Sequence, residues 1–150
     1  MLHRHPFLSL VTGGYLLFVA WLTLTPQPIG PDQQDLILRA LDALHRHGYA
    51  ESLDYGRLEF LANIGLFVPI GMFLLLLFGA GGWWAAAIAS FAMTCGIEYA
   101  QRYIPGRVSD ERDLVANGLG ALIGIAVALV LTMPATLRRR RRRRLQRATA

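Results

Sequence analysis

The chain of 150 residues is 54% hydrophobic and 17% charged, with a formal net charge of +5. Apart from Glu98 and Arg102, its charges lie outside long apolar runs that cover about half of the sequence, which leaves no room for a separate soluble domain of useful size. Cys95 is the single cysteine, so an intrachain disulfide is excluded.

Four apolar runs are long enough to cross the hydrocarbon core of a bilayer, which takes about 20 helical residues for roughly 30 Å. They cover residues 7–24, 60–78, 83–103 and 114–133. The first run is longer than the roughly 7–15 apolar residues of a signal peptide and is not followed by an A-x-A cleavage pattern, which favours a membrane span. The sequence therefore predicts an all-α integral membrane bundle of four transmembrane helices.

The loop after the first run predicts a short amphipathic helix in the first extracytoplasmic loop. Its apolar residues recur at helical spacing, in the order Leu36, Ile37, Ala40, Leu41 and Leu44. We expect this helix to lie on the outer membrane surface or to pack over the bundle.

The second and fourth runs open alike, with a carboxylate followed four residues later by an asparagine. The pairs are Glu59 with Asn63 and Asp113 with Asn117, and each pair lies on one helix face. This similarity fits two weak parallel repeats, and it equally fits a chance match over a few positions.

Small and helix-breaking residues in the same two runs predict close helix packing. Gly120 and Gly124 form a G-x-x-x-G pair, which is typical of helices in close contact within a membrane. Pro69 lies inside the second run, where a kink or local unwinding is expected.

The third run carries the most informative residue, Glu98. An ionisable side chain inside a membrane helix is costly unless it has a partner or a task, so Glu98 is the leading functional candidate. Thr94, Gln101 and Arg102 lie three or four positions from Glu98 and share its helix face.

The basic residues predict the orientation of the chain. All of them are arginines, and those near the two chain ends are Arg4, Arg138–Arg144 and Arg147. The others lie in the two long loops: Arg39, Arg46, Arg57, Arg102, Arg107 and Arg112. The positive-inside rule places both termini in the cytoplasm and both loops outside, for a multi-pass protein of the plasma membrane.

The arginine run follows a membrane domain predicted for residues 1–133. Residues 134–150 are predicted to form a disordered basic cytoplasmic tail. Because the run adjoins a membrane helix and has no aromatic platform beside it, we expect it to contact anionic lipid headgroups and not nucleic acid.

This orientation brings polar residues from three parts of the chain to one level of the membrane. Glu98 lies about 22 Å from the cytoplasmic end of its helix, near the outer interface. Asn63 and Asn117 stand at the outer ends of their helices. The loop between the third and fourth runs adds Arg107, Asp110, Arg112 and Asp113. The convergence predicts a binding or active site.

The ordered set of these residues resembles the VanZ-like membrane family, named after a teicoplanin-resistance protein. The matching positions are Asn63, Pro69-Ile70-Gly71, Glu98, Gln101, Arg107, Asp110, Asp113, Asn117 and Gly120. The resemblance is strongest over residues 57–133. It implies a small helical protein of the cell envelope, linked in its founding member to resistance to glycopeptide antibiotics.

One hypothesis is a factor that binds membrane lipids or a lipid-linked envelope precursor at the outer leaflet. Its arginines would clamp a phosphate or carboxylate, and its amides and Glu98 would hydrogen-bond the rest of the headgroup. The candidate binding residues are Asn63, Glu98, Gln101, Arg102, Arg107, Asp110, Arg112, Asp113 and Asn117.

A second hypothesis is a membrane-embedded enzyme acting on such a lipid. Glu98 would be a general base, and Asp113 or Asp110 would be a second acid or a ligand for a divalent metal. A structural or regulatory subunit of an envelope complex is a third hypothesis. The sequence predicts no resident metal or cofactor, and it leaves the substrate and the oligomeric state open.

Overall fold

A computed structural model describes residues 6–26, 31–47, 54–105 and 110–148, and this part of the chain is entirely helical apart from turns and short connections. The helices are α1 (Pro6–Leu24), α2 (Pro31–Arg46), α3 (Tyr55–Phe78), α4 (Trp83–Gln101) and α5 (Glu111–Ala148). A single 3₁₀ turn, Ala80–Gly82, joins α3 to α4. Four helices, α1, α3, α4 and α5, are long and apolar enough to cross a membrane. The predicted all-α fold with four membrane-spanning segments is confirmed.

Two capping aspartates set where α3 and α5 begin. The Asp54 carboxylate accepts a hydrogen bond of 2.7 Å from the backbone N–H of Arg57, and the Asp110 carboxylate accepts one of 2.8 Å from the backbone N–H of Arg112. Each bond satisfies one of the backbone donors that a helix start leaves without a partner. Both helices therefore begin several residues before the apolar runs that they contain.

The closest packing in the bundle joins α3 to α5. A Cβ atom added at Gly120 would overlap the backbone carbonyl of Ile64, and one added at Gly124 would overlap that of Val68. Gly71 makes the reciprocal contact from α3 onto the backbone of α5. The two backbones touch without intervening side chains, which is the role predicted for Gly120 and Gly124.

Pro69 lies inside α3, and the helix continues through it without a break from Tyr55 to Phe78. The local unwinding expected at Pro69 is therefore not found. Proline has no N–H, so the carbonyl of Gly65 loses its usual intrahelical donor. At the next carbonyl, that of Leu66, the Tyr15 hydroxyl donates a hydrogen bond of 2.8 Å, which ties α1 to α3.

The basic tail continues α5 as a helix. Residues 134–148, for which the sequence predicts disorder, are helical in the structure and extend α5 through Pro134 to Ala148. Arginine, leucine and alanine are all good helix formers, so the local sequence supports the extension of a helix that the membrane segment has already started.

Exposed aromatic side chains mark both ends of the membrane-spanning part. Trp83 and Trp84 lie at the start of α4, and Tyr99 lies at its other end, about 24 Å from Trp83 along the helix. Tyr103 donates a hydrogen bond of 3.2 Å to the Tyr99 hydroxyl, and this bond raises the pKa of Tyr103 above its ordinary value. Such girdles are typical of the two membrane interfaces.

The chain crosses the bundle in alternating directions. As a result, α1 and α4 finish, and α3 and α5 begin, at one and the same end, which we call the polar end of the bundle. Hydrogen bonds between Gln101 and Thr23, and between Asn63 and Asp113, join these helix termini directly.

Candidate functional site

A cavity of about 550 Å³ lies at the polar end of the bundle. All five helices contribute to its walls. The lining residues are Tyr15, Leu22, Thr23, Ile37, Tyr55, Leu58, Glu59, Ala62, Asn63, Gly65, Leu66, Ile97, Glu98, Gln101, Asp113 and Asn117. The volume is in the range of pockets that bind small molecules, and the mixture of many apolar and a few polar groups is typical of such pockets.

Helix α4 turns its polar stripe towards the interior of the bundle. Glu98 and Gln101 are each 6% exposed and line the cavity, and Ser90 and Thr94 continue the same face deeper in the bundle. The opposite face of α4 is apolar and exposed, as at Phe91. The membrane-facing and bundle-facing sides of α4 are therefore those that hydropathy and helical spacing predict.

Two buried amides each use one end to join a neighbouring helix. The Gln101 Nε2 donates a hydrogen bond of 3.0 Å to the Thr23 carbonyl, and the Asn117 Nδ2 donates one of 2.9 Å to the Thr94 hydroxyl. Within the described residues, the oxygens of both amides, Gln101 Oε1 and Asn117 Oδ1, are buried and have no hydrogen-bond partner. A buried acceptor in this state costs about 1–3 kcal/mol.

Asn63 and Asp113 connect the third turn of α3 to the start of α5. The Asn63 Nδ2 donates a hydrogen bond of 2.7 Å to the Asp113 Oδ1 across the wall of the cavity. The corresponding asparagine of α5, Asn117, bonds to Thr94 of α4 instead. The two similar helix openings therefore deliver their polar groups to the same cavity, but they do not make equivalent contacts.

Two arginines of the predicted clamp, Arg102 and Arg112, lie outside this lining. Arg102 and Arg112 are exposed at the polar end, and the guanidinium of Arg112 stacks over the ring of Phe60 at 6.0 Å from its centre. Asp110 is also exposed, and its carboxylate caps α5. Arg107 lies outside the described residues.

The acidic residues do not gather into a metal centre in the part of the chain that the structure describes. Glu59, Glu98 and Asp113 all line the cavity, yet no group of three or more His, Cys, Asp or Glu side chains in that part is placed to hold a metal ion. What these carboxylates offer at the cavity wall is hydrogen-bond acceptance and, when ionised, negative charge.

Several lining residues are not among the site residues predicted from the sequence. Glu59 carries a signal that could have found it, because it stands before Asn63 as Asp113 stands before Asn117. Tyr15 and Thr23 line the cavity from α1, eight residues apart, and so share one helix face. They are two of several polar positions in a mainly apolar helix, which also contains Ser9 and Thr12, so the signal is weak.

These observations define a class: a multi-pass, all-helical membrane protein with a partly polar cavity at one end of its bundle. The chain belongs to the VanZ/LLP1 family, whose model matches residues 12–132. The match confirms the VanZ-like resemblance, and it extends beyond residues 57–133 to include most of α1, which forms one wall of the cavity. No curated protein and no solved structure matches the chain significantly.

Proposed function

We propose that this VanZ-like protein binds the headgroup of a lipid or a lipid-linked envelope precursor in the cavity at the polar end of its bundle. With the termini in the cytoplasm, as the arginine distribution predicts, the cavity faces the outer leaflet. Occupancy of the cavity alters what a glycopeptide antibiotic can reach at the cell surface. By this route the protein contributes to resistance of the teicoplanin type.

The observation that carries this proposal is the composition of the cavity wall. Buried polar groups, among them Glu98, Gln101 and Asn117, meet apolar side chains such as Leu66 and Ile97 in one continuous lining. A wall of this kind fits an amphiphile, since the polar groups can bind a headgroup while the apolar groups contact the start of a hydrocarbon chain.

The buried polar groups also argue against a purely structural cavity. A bundle held together only by packing would gain nothing from acceptors without donors at its interior, because each of them lowers stability. The oxygens of Gln101 and Asn117 are acceptors of this kind, and both residues belong to the lining. A ligand that donates hydrogen bonds would remove this cost.

The test is to identify the lipids that purify with the protein. Wild-type protein and Glu98→Gln are purified in a mild detergent, and bound lipids are quantified by mass spectrometry. We expect Glu98→Gln to lose most of the specifically bound lipid at unchanged protein levels, because the substitution changes charge and hydrogen bonding with little change in volume. Teicoplanin susceptibility of cells producing each variant provides the second measurement, with loss of protection expected for Glu98→Gln.

Glu111→Gln is the matched control. Glu111 is an exposed acid in the first turn of α5 and is not part of the cavity lining. This variant should keep both the bound lipid and the resistance phenotype. Equal lipid content and equal protection in wild type, Glu98→Gln and Glu111→Gln would refute the proposed site.

An enzyme acting on a lipid-linked substrate is the second candidate function, because Glu98 and Asp113 line the same cavity. Glu98 would serve as a general base towards water or a substrate hydroxyl. The nearby thiol and hydroxyl groups are not placed as nucleophiles: Cys95 is not in the lining, and the Ser90 hydroxyl donates to the Ala86 carbonyl at 2.9 Å. Time-dependent conversion of a co-purified lipid by wild type, absent in Glu98→Gln, would favour this candidate.

A further inference from the structure

Two residues of the cavity lining carry buried amide oxygens without a hydrogen-bond donor within the described residues. Gln101 is 6% exposed and Asn117 is 3% exposed, and the Oε1 and Oδ1 atoms of these amides have no partner within the described residues. The orientation of the Gln101 amide is set by chemistry, because its other end meets the Thr23 carbonyl oxygen, which can only accept. The Gln101 oxygen therefore requires an N–H or O–H group.

One residue of α3 in the lining has a backbone carbonyl that lacks its usual helical donor. Gly65 lines the cavity, and its carbonyl lies four residues before Pro69, which has no N–H to donate. Backbone polar groups released in this way within a membrane must find another partner in neighbouring helices, water or a ligand.

The acidic residues of the lining favour the same kind of ligand. Glu59, Glu98 and Asp113 already engage other groups, and when ionised their oxygens can only accept hydrogen bonds. No arginine or histidine among the described residues belongs to the lining. An ionised phosphate also only accepts, so beside these carboxylates its lone pairs would face other lone pairs.

We propose that the cavity selects the hydrogen-bond donors of a lipid headgroup, a primary amine or hydroxyl groups, and leaves the phosphate outside the lining. The phosphate then lies at the level of Arg102 and Arg112, which are exposed at the same end of the bundle. This inference rests on the proposed lipid-binding function and names the headgroup chemistry that the cavity recognises.

The test compares headgroups that differ only in their donors. Binding to the full-length protein is measured by native mass spectrometry for phosphatidylethanolamine, its N-methyl and N,N-dimethyl derivatives, and phosphatidylcholine, all with identical acyl chains. These lipids share the phosphate and the positive nitrogen but lose N–H groups one at a time. If an amine is recognised, affinity should fall about fivefold for each hydrogen bond lost.

A second pair of lipids distinguishes hydroxyl groups from an amine. Phosphatidylglycerol carries two hydroxyls that phosphatidic acid lacks, so recognition of hydroxyls predicts tighter binding of phosphatidylglycerol by a similar factor for each bond. Selectivity in either pair supports the inference, and the pair that shows it identifies the donor.

Substitutions then assign the selectivity to the cavity. Gln101→Met keeps the length of the side chain and removes its acceptor, so it should reduce the preference for donor-bearing headgroups. Tyr99→Phe is the control, because it removes an exposed hydroxyl from the same helix outside the lining, and it should leave the preference unchanged. Since the main comparison uses wild-type protein, it does not depend on the folding of any variant.

The outcomes separate this inference from the proposed function. Equal affinity across the phosphatidylethanolamine series, together with binding of phosphatidic acid that equals or exceeds that of phosphatidylglycerol, would overturn donor selection while leaving lipid binding in place. Absence of binding by every phospholipid and by the co-purified lipids would overturn the proposed function, and the inference with it.

Discussion

The hydrogen bond between Asn63 and Asp113 shows what one polar contact does in this bundle. At 2.7 Å, this bond joins the third turn of α3 to the first turn of α5 beside the cavity. Hydrogen bonds to a charged group contribute about 1.5–3 kcal/mol in water-soluble proteins, but interhelical bonds within membranes average about 0.6 kcal/mol, because the unfolded helices also find partners. The membrane value applies here, so this bond fine-tunes the geometry of the cavity more than it holds the fold.

We therefore expect a double-mutant cycle with Asn63→Ala and Asp113→Ala to give a coupling energy of about 0.6–1.7 kcal/mol. Unfolding in mixed micelles measures the four stabilities. The exposed pair Tyr99 and Tyr103, whose hydroxyls are 3.2 Å apart, serves as the control and should show coupling near zero. A coupling below the experimental error for Asn63 and Asp113 would mean that the bond contributes nothing in the membrane.

At the scale of residues, the sequence predicts those cavity residues that are polar and lie within apolar runs. Glu98, Gln101 and Asn117 stand out because they interrupt apolar runs, and the structure places all three in the lining. Whether a polar residue at a helix end faces the cavity or solvent depends on tertiary packing, which hydropathy does not report. Arg102 and Arg112 are such cases, and both are exposed.

At the scale of helices, the backbone contact between α3 and α5 predicts opposite effects on stability for two glycine-to-alanine substitutions in α5. Gly124→Ala would place a methyl group on the carbonyl of Val68, which forces the helices apart and should cost about 1–3 kcal/mol or more. Gly118→Ala meets nothing within 4 Å and should be neutral or stabilising by up to about 1 kcal/mol, since alanine is the better helix former. Protein levels and the midpoint of thermal unfolding in detergent measure both effects.

The comparison controls for amino-acid type, because the same substitution is made twice in one helix. Gly71→Ala, which meets the backbone of α5 from the other side, should behave like Gly124→Ala. Equal stability of Gly124→Ala and Gly118→Ala would contradict the close backbone contact between α3 and α5.

Helix positions are predicted well from the sequence because burial in lipid makes hydropathy the dominant signal. The helix ends are predicted less well. The starts of α3 and α5 are set by the caps of Asp54 and Asp110, which lie in polar sequence several residues before the apolar runs. Pro69 shows the opposite limit, because its residue type predicts local unwinding but α3 continues through it without a break.

At the scale of the whole molecule, the orientation rests on the arginines of the tail. Replacing Arg138–Arg144 by glutamine leaves only Arg4 and Arg147 on the side of the termini, against the six arginines of the two loops. The positive-inside rule then favours the inverted arrangement, so we expect a mixed or inverted population in the membrane. The wild type should place Ser52 outside and Thr149 inside.

Cysteine labelling in intact cells measures this orientation. Cys95, the native cysteine, is first replaced by alanine, and single cysteines are then introduced at Ser52 and Thr149. In the wild-type background an impermeant reagent should label position 52 and not position 149. In the glutamine variant label should appear at position 149. Replacement of the same arginines by lysine is the control, because it keeps the charge and should keep the wild-type pattern. Labelling of position 149 in the wild-type background would place the cavity on the cytoplasmic side and remove the outer-leaflet headgroup from the proposed function.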